Sequence, residues 1–366
     1  MKHRIAILGF GVVGQGFAEI IQNKRQQLEE QFGLEATIVA VSDMMKGSLY
    51  HPEGLSIEAL LKVVKETGKI EAYPEQQGLI RGLNSFETIK NSNADTIVEV
   101  TFTDVKTGQP AIDHCKCAFE HGRNVIMSNK GPVALAYPEL SALAEKHHVQ
   151  WGYEGSVMSG TPALRMPITS LAGNDITEIQ GILNGTTNYM LTRMEEGSSY
   201  EEALKEAQSL GYAEADPTSD VEGFDALYKI VILSNVVLNH PLKITDVKRK
   251  GISHLTKEHI DKAKLEGKTW KLIAKLRKID GKIIASVQPE MISLDHPLAN
   301  ISGATNAITY TCDLAGPITL IGAGAGKVET GFSILIDLIN IHRTRKSVEE
   351  GAYGKDVAAE ENVVSR

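Results

Sequence analysis

A glycine turn near the N-terminus constrains the fold of this chain more than any other feature. It follows an apolar run from His3 to Gly9, opens an amphipathic segment, and reads Gly9-Phe10-Gly11-Val12-Val13-Gly14. A strand, glycines at this spacing and a helix are typical of a turn that binds the pyrophosphate of a dinucleotide. The three glycines permit the tight turn, the approach of phosphate to the backbone and the packing of helix on strand. The alternative is a glycine turn without a ligand.

The composition is that of an ordinary globular protein. The chain has 366 residues, of which 42% are hydrophobic and 23% charged, which predicts two domains. Its net charge of −8 offers no basic surplus for phosphates, so we expect neither a nucleic-acid partner nor a membrane partner. No apolar run approaches the roughly 20 residues of a membrane helix. Three cysteines make no disulfide framework, and the expected location is cytoplasmic.

Strands alternate with helices along the first part of the chain. Apolar runs at 36–43, 94–102 and 124–130 predict strands, and the segments 56–68 and 111–121 predict helices. This order predicts an α/β fold with a parallel sheet and right-handed crossovers. We therefore expect a Rossmann-type dinucleotide-binding domain.

The character of the sequence changes after Lys130, which predicts a second, α+β domain over residues 132–320. Residues 283–310 are typical of short strands, and the lysine-rich stretch 243–278 of a solvated helix face. The chain closes with a glycine turn and a long apolar helix, which resemble the first domain. We therefore assign residues 1–131 and 321–366 to the nucleotide domain.

Asp43, at the end of the second predicted strand, bears on the choice of cofactor. A carboxylate at this place accepts a hydrogen bond from the ribose 2′-hydroxyl of NAD. Lys46 follows three residues later and offers a positive charge to the 2′-phosphate of NADP. The sequence therefore leaves NAD and NADP open.

Acidic residues crowd one short segment that leads into a helix. They are Asp216, Asp220, Glu222 and Asp225. Asp225 and Lys229 are four residues apart and share a helix face, where a surface ion pair is the simplest interpretation. Lys229, however, precedes the apolar run 230–233, so it enters a core. An amine held beside carboxylates in a cleft can exchange a proton with a substrate oxygen.

This segment resembles the signature of the homoserine dehydrogenases. The matching positions are Ala207, Gly211, Tyr212, Ala213, Asp216, Pro217, Asp220, Val221, Gly223, Asp225 and Lys229. The resemblance extends to residues 125–130, 153–162, 183–188 and 322–326, and so covers nearly the whole chain. It is to the short form of the family, without the regulatory domain or the aspartate kinase of many relatives.

The resemblance implies roles for five charged residues. Lys229 would donate and accept the proton at the substrate oxygen, and Lys130 would be the second lysine, close to the nicotinamide. Asp220 would be a supporting carboxylate. Glu214 and Asp225 would bind the amino group and hydroxyl of the substrate.

The resemblance also implies neighbouring contacts and a cation. Gly185 and Thr186 would line the substrate pocket, and Thr101, Gly211 and Gly326 would contact the cofactor. Sodium would be held by backbone carbonyls at four positions of one loop: Glu154, Val157, Ser159 and Thr161. This loop has less glycine and alanine than is usual in the family, and Met158 within it could narrow the substrate pocket.

The expected function is NAD(P)-dependent interconversion of L-homoserine and L-aspartate 4-semialdehyde, in threonine and methionine biosynthesis. One alternative is a dehydrogenase of another small amino acid, which the unusual residues Met158 and Ser159 motivate. The other is a non-catalytic NAD(P)-binding sensor, which would need neither Lys130 nor Lys229. The resemblance further suggests a homodimer formed through the second domain.

Overall fold

The computed structural model describes the backbone of residues 2–104 and 106–364, and side chains as far as Lys346. Two sheets organise this part of the chain, one of seven strands and one of six. None of the helices in these ranges has the length and apolar character of a membrane-spanning segment.

The seven-stranded sheet has the order β4-β3-β2-β1-β5-β6-β7. Its strands are β1 Lys2–Leu8, β2 Glu35–Asp43, β3 Gly47–Tyr50, β4 Ile80–Arg81, β5 Thr96–Glu99, β6 Asn124–Met127 and β7 Trp151–Gly152. The neighbouring strands in the run β2-β1-β5-β6-β7 pair in parallel. This mixed α/β architecture confirms the predicted fold class. β3 and β4 add an antiparallel edge that the sequence analysis missed.

Helices connect and flank the strands of this first sheet. They are α1 Val12–Phe32, α2 Ile57–Thr67, α3 Ser85–Asn91, α4 Ala111–Glu120, α5 Lys130–Leu135 and α6 Tyr137–Lys146. α2 shows how local sequence sets the bounds, because the Ser56 hydroxyl caps its first turn and Gly68 ends it in the left-handed conformation.

The six-stranded sheet has the order β13-β12-β8-β10-β11-β9. Its strands are β8 Ile176–Ile182, β9 Lys248–Arg249, β10 Lys268–Ile279, β11 Lys282–Ser293, β12 Thr305–Cys312 and β13 Gly316–Ala323. The remaining helices are α7 Arg165–Ser170, α8 Gly185–Glu195, α9 Tyr200–Ser209, α10 Thr218–Val221, α11 Phe224–Val236, α12 Lys257–Leu265 and α13 Lys327–Val364.

The prediction of a solvated helix face over 243–278 is wrong outside α12, Lys257–Leu265, and most clearly for its last eleven residues, 268–278. They form β10, which pairs with both β8 and β11 inside the second sheet. Lys271 and its neighbours Leu272, Ile273 and Ala274 are all buried, which a solvated helix face does not allow. The sequence signal was the pair Asp280-Gly281, since both residues have positive φ, as a two-residue hairpin turn requires.

α13 returns the chain to the first sheet. It packs along α1, where Gly16 and Gly331 allow the two backbones to approach closely. The first sheet includes β7, beyond residue 131, and the second includes β13, which ends beyond residue 320. The domain bounds 1–131, 132–320 and 321–366 remain a prediction.

A pair of buried histidines joins β1 to α13. His3 Nε2 lies 3.0 Å from His342 Nδ1, and His342 Nε2 lies 2.9 Å from the carbonyl of Phe32 at the end of α1. Burial, with the charge of Arg345 and the second imidazole, lowers the pKa of His3 to about 4. His3 is therefore neutral at neutral pH.

We expect this histidine to make folding sensitive to mild acid. Between pH 6.5 and about 4 the unfolded chain takes up a proton at His3 that the folded chain does not, so stability falls as pH falls through this window. From pH 7 to pH 5 the loss attributable to His3 is about 2 kcal/mol. Urea unfolding of wild type and His3→Gln at both pH values measures it, and equal losses in the two proteins would contradict the assignment.

Candidate active site

The glycine turn lies between the ends of β1 and β5. Gly9 has φ +89°, and a side chain there would collide with the carbonyl of Val100. A side chain at Gly14 would collide with the Gly9 carbonyl, whereas one at Gly11 would meet open space. Gly11 is also the N-terminal cap of α1, and it has no side chain to cover the free N–H groups. The turn is therefore shaped to admit an anionic group at the helix N-terminus.

Asp43 lies at this turn but faces inward more than the sequence analysis expected. Its Oδ2 accepts from the amide of Phe10 at 2.7 Å, and its Oδ1 accepts from the amides of Met45 and Lys46 at 2.9 Å. The ammonium of Lys46 lies 3.9 Å from the same carboxylate. Asp43 thus holds the glycine turn in addition to any contact with a ribose.

Thr101 follows the end of β5, beside the glycine turn. Its hydroxyl donates to the carboxylate of Glu99, which also accepts from the side-chain amide of Asn129. Asn129 precedes Lys130, the first residue of α5. The ends of β5 and β6 therefore bring Thr101 and Lys130 to one edge of the first sheet, where α/β proteins bind ligands.

Two lysines converge on Asp225 at the start of α11. Lys229 Nζ donates to Asp225 Oδ2 at 2.7 Å and to the carbonyl of Leu183 at 2.6 Å. Lys130 Nζ lies 3.4 Å from Asp225 Oδ1. The side chain of Lys229 is 7% exposed and that of Lys130 is 32% exposed. Lys229 is therefore buried, whereas Lys130 is partly accessible to solvent. The buried pair is therefore more than a surface ion pair.

Asn184 links the two carboxylates of this cluster. Its side-chain amide donates to Asp220 Oδ1 at 2.7 Å and to Asp225 Oδ2 at 3.0 Å. Burial and the negative charge of Asp225 raise the pKa of Asp220. Burial alone would also raise the pKa of Asp225, but Lys229 and Lys130 hold it well below its usual range. Sequence reasoning missed Asn184, although its place before the helix start Gly185 was a capping signal.

The N-terminus of α8 lies beside this cluster. Gly185 begins the helix, and the Thr186 hydroxyl donates to the carbonyl of Tyr212 at 2.6 Å. Gly211, next to Tyr212, ends α9 with φ +76°. The structure therefore brings Gly185, Thr186 and the 211–212 turn close to Asp220.

Glu214 and Gly326 occupy exposed loops. The side chain of Glu214 points to solvent between α9 and α10, outside the buried cluster, while its carbonyl accepts from Gln208 Nε2 at 3.0 Å. Gly326 has φ +147° at the turn before α13.

The candidate cation loop runs from Glu154 to Thr161 and is firmly held. The Glu154 carboxylate accepts from the amides of Leu164 and Arg165 at 3.0 and 2.9 Å. Val157 and Ser159 are buried, and Met158 and Ser159 adopt left-handed φ of 57° and 54°. Met158 is fully buried in the hydrophobic core. Within the described ranges no cluster of three or more His, Cys, Asp or Glu side chains could bind a metal, so a cation here would rely on carbonyl oxygens.

Comparison with known proteins identifies the family. Residues 162–339 match the family model for homoserine dehydrogenase, and residues 1–105 match the one for glutamate/leucine/phenylalanine/valine dehydrogenase. The NAD(+)-dependent homoserine dehydrogenase of Pseudomonas canavaninivorans is 45% identical, over 95% of this chain and 99% of its own. The homoserine dehydrogenase of Methanocaldococcus jannaschii is 43% identical, over 93% and 99%.

A solved structure supports the same assignment. A hyperthermophilic archaeal homoserine dehydrogenase in complex with NADPH superposes with a TM-score of 0.80 at 30% identity, over 94% of this chain and 98% of its own. The resemblance noted in the sequence is thus confirmed along almost the entire chain, and this chain belongs to the homoserine dehydrogenase family.

Proposed function

We propose that this chain interconverts L-homoserine and L-aspartate 4-semialdehyde with NAD or NADP. The observation that carries the proposal is the convergence of Lys130 and Lys229 on Asp225 in a member of this family. The open space at Gly11 and the uncovered helix start fit the pyrophosphate of a dinucleotide. The nicotinamide, when bound, supplies or accepts the hydride.

The charged residues then divide the remaining work. Lys229, fixed by Leu183 and Asp225, exchanges the proton at the substrate oxygen. Lys130 stabilises negative charge there and contacts the nicotinamide end. Asp225 and Glu214 bind the hydroxyl and amino group of the substrate, Glu214 from its exposed loop. Asp220 supports the cluster through Asn184.

Other residues position the substrate and the cofactor. Gly185 and Thr186 line the substrate pocket at the start of α8. Thr101, Gly211 and Gly326 contact the cofactor, as do the backbone of the glycine turn from Gly9 to Gly14 and the side chain of Asp43. These assignments rest on the matching motif and, for Gly185, Thr186 and Gly211, also on their placement close to Asp220.

The direct test is an absorbance assay of the reduced nicotinamide band with homoserine and each cofactor. Turnover with homoserine and slower turnover with other small amino-acid alcohols would support the proposal. Preference for another amino acid would favour the related dehydrogenase, and cofactor binding without turnover would favour a sensor. The expression and assay of Glu214→Gln would show whether the exposed loop reaches the substrate.

The position of Asp43 predicts a change in cofactor preference on substitution. In Asp43→Ser the ratio of kcat/KM for NADP to that for NAD should rise, because a carboxylate repels a 2′-phosphate. Efficiency with both cofactors should also fall, since the Phe10 amide loses its acceptor. Lys46→Ala is the control and should lower the ratio by up to about fivefold, the value of an exposed pair. An unchanged ratio in Asp43→Ser would mean that Asp43 acts on the turn alone.

We propose a sodium site at the carbonyls of Glu154, Val157, Ser159 and Thr161. A left-handed backbone at two non-glycine residues is unfavourable and persists where the surroundings enforce it, which fits a loop shaped for a ligand. A cation at ten times its Kd would stabilise the fold by about 1.4 kcal/mol. Thermal unfolding and rates in sodium, potassium and tetramethylammonium chloride test this, and identical values in all three would count against the site.

We propose the domain division given above, with residues 1–131 and 321–366 binding the nucleotide and 132–320 the substrate. We also propose a cytoplasmic homodimer that associates through the second sheet. Its edge strand β13 has partly exposed side chains along its length, including Ile321, which supports an interface at this edge. The proposed partner is a small amino-acid substrate, and the proposed reaction involves neither a nucleic acid nor a membrane.

A further inference from the structure

A buried carboxylate lies between Thr101, a predicted cofactor contact, and Asn129, the residue before Lys130. Glu99 is the last residue of β5 and has no exposed surface. Its carboxylate accepts from the Thr101 hydroxyl and the Asn129 amide, and its Oε1 lies 3.1 Å from Nδ1 of the buried His114. A carboxylate this deep needs hydrogen-bond partners, and these three groups surround it.

The contact with Asn129 replaces one that the local sequence favours. Asn129 is the N-terminal cap residue of α5, and asparagine there normally accepts from an amide of the first helical turn. Here its side chain makes no capping hydrogen bond and donates to Glu99 instead. The first turn of α5, with Lys130 as its first residue, is thus fastened to the end of β5.

The network also has the order of a hydrolase triad, because His114 Nε2 lies 2.8 Å from the hydroxyl of Ser85. The geometry argues against that use. The imidazole is 2% exposed, and the ring of Phe86 lies 5.0 Å from it. A base that substrate cannot reach does not activate a nucleophile. We therefore look for the role of this network at Glu99, Thr101 and Asn129 and not at Ser85.

We propose that Glu99 is a positioning residue of the active site: it fixes the Thr101 hydroxyl and, through Asn129, the start of the helix that carries Lys130. One buried carboxylate then sets the spacing between a cofactor contact and a catalytic lysine. Misplacement of reacting groups by about 1 Å can lower turnover about a hundredfold, so such a residue matters without touching substrate. The inference rests on the proposed roles of Thr101 and Lys130.

Four variants test it: Glu99→Gln, Asn129→Ala, Thr101→Val and the double variant Glu99→Gln/Asn129→Ala. We expect Glu99→Gln to lower kcat by about ten- to a hundredfold and to raise the KM for the cofactor. Asn129→Ala should lower kcat with little change in cofactor KM, and Thr101→Val should mainly raise cofactor KM. The double variant should be no worse than the more severe single variant, because both changes break one connection.

Ser85→Ala is the control, since it removes the outer contact of His114 and leaves those of Glu99. It should keep kcat and both KM values within about twofold of wild type. An equal loss in Ser85→Ala, a multiplied loss in the double variant, or a folded Glu99→Gln with wild-type parameters would overturn the proposal. If Glu99→Gln does not fold, the other two single variants decide. Asn129→Ala should then lower kcat and Thr101→Val should raise the cofactor KM, and the same change in both variants would refute the inference.

The two proposals can fail separately. Wild type without homoserine turnover would refute the proposed function. Cofactor affinity, measured by quenching of protein fluorescence on titration with NADPH, would still report whether Glu99→Gln and Thr101→Val weaken the same contact.

Discussion

Replacement of Lys229 by alanine is expected to lower kcat by about 10²–10⁴-fold, the usual contribution of a positioned acid–base group. The affinity for the cofactor should change far less, because Lys229 lies on α11 and not on the glycine turn. Steady-state kinetics with homoserine, together with NADPH titration, separates the two effects. Turnover within a few-fold of wild type would remove Lys229 from the chemistry.

The variant should still fold. Asp225 keeps the Lys130 ammonium at 3.4 Å and the Asn184 amide at 3.0 Å when Lys229 is removed. Lys229→Met is a useful companion, since it retains the apolar stem of the side chain and loses the amine. Lys116→Ala is the matched control, because it deletes a lysine from the surface ion pair with Glu139. That pair is worth about 0–1 kcal/mol and lies outside the active site.

The parts of the molecule that sequence predicted well are those set by neighbours in the chain. The first strand, the glycine turn and α1 follow from the period of apolar residues and from three glycines. The pairing of Asp225 with Lys229 follows from helix geometry, since residues four apart share a face. In each case the interacting residues are within one turn or one loop of each other.

The missed parts depend on contacts between distant residues. Asn184 meets Asp225 across 41 positions, and Glu99 meets Asn129 across 30. No spacing rule connects such residues, so a sequence pattern alone shows neither contact. β10 was misread for a related reason, because its lysines suggested a solvated helix while pairing with β8 and β11 places it inside the second sheet. The inward contacts of Asp43 likewise depend on how the glycine turn meets β2.

Replacement of Asp225 by asparagine should have the largest effect on stability. The substitution keeps the shape of the side chain but leaves the buried Lys229 ammonium without its counter-charge. Removal of one partner from a buried pair lowers the free energy of unfolding by about 3–5 kcal/mol. Urea unfolding at neutral pH measures this, with Glu139→Gln at the surface pair as the control. A decrease below about 1 kcal/mol would show that the pair is effectively solvated.

The double variant Asp225→Asn/Lys229→Met distinguishes charge pairing from general damage. If the loss in Asp225→Asn comes from the unpaired ammonium, removal of that ammonium should restore part of the stability, and the cycle should show coupling. Activity should not return, because both groups belong to the proposed chemistry.

The pH dependence of this stabilisation has a definite sign, since Lys229 and Lys130 hold the pKa of Asp225 below its ordinary value of 3.8 despite its burial. The stabilising effect is therefore complete above pH 3.8 and declines below it, so wild type and Asp225→Asn should differ at neutral pH and converge in strong acid.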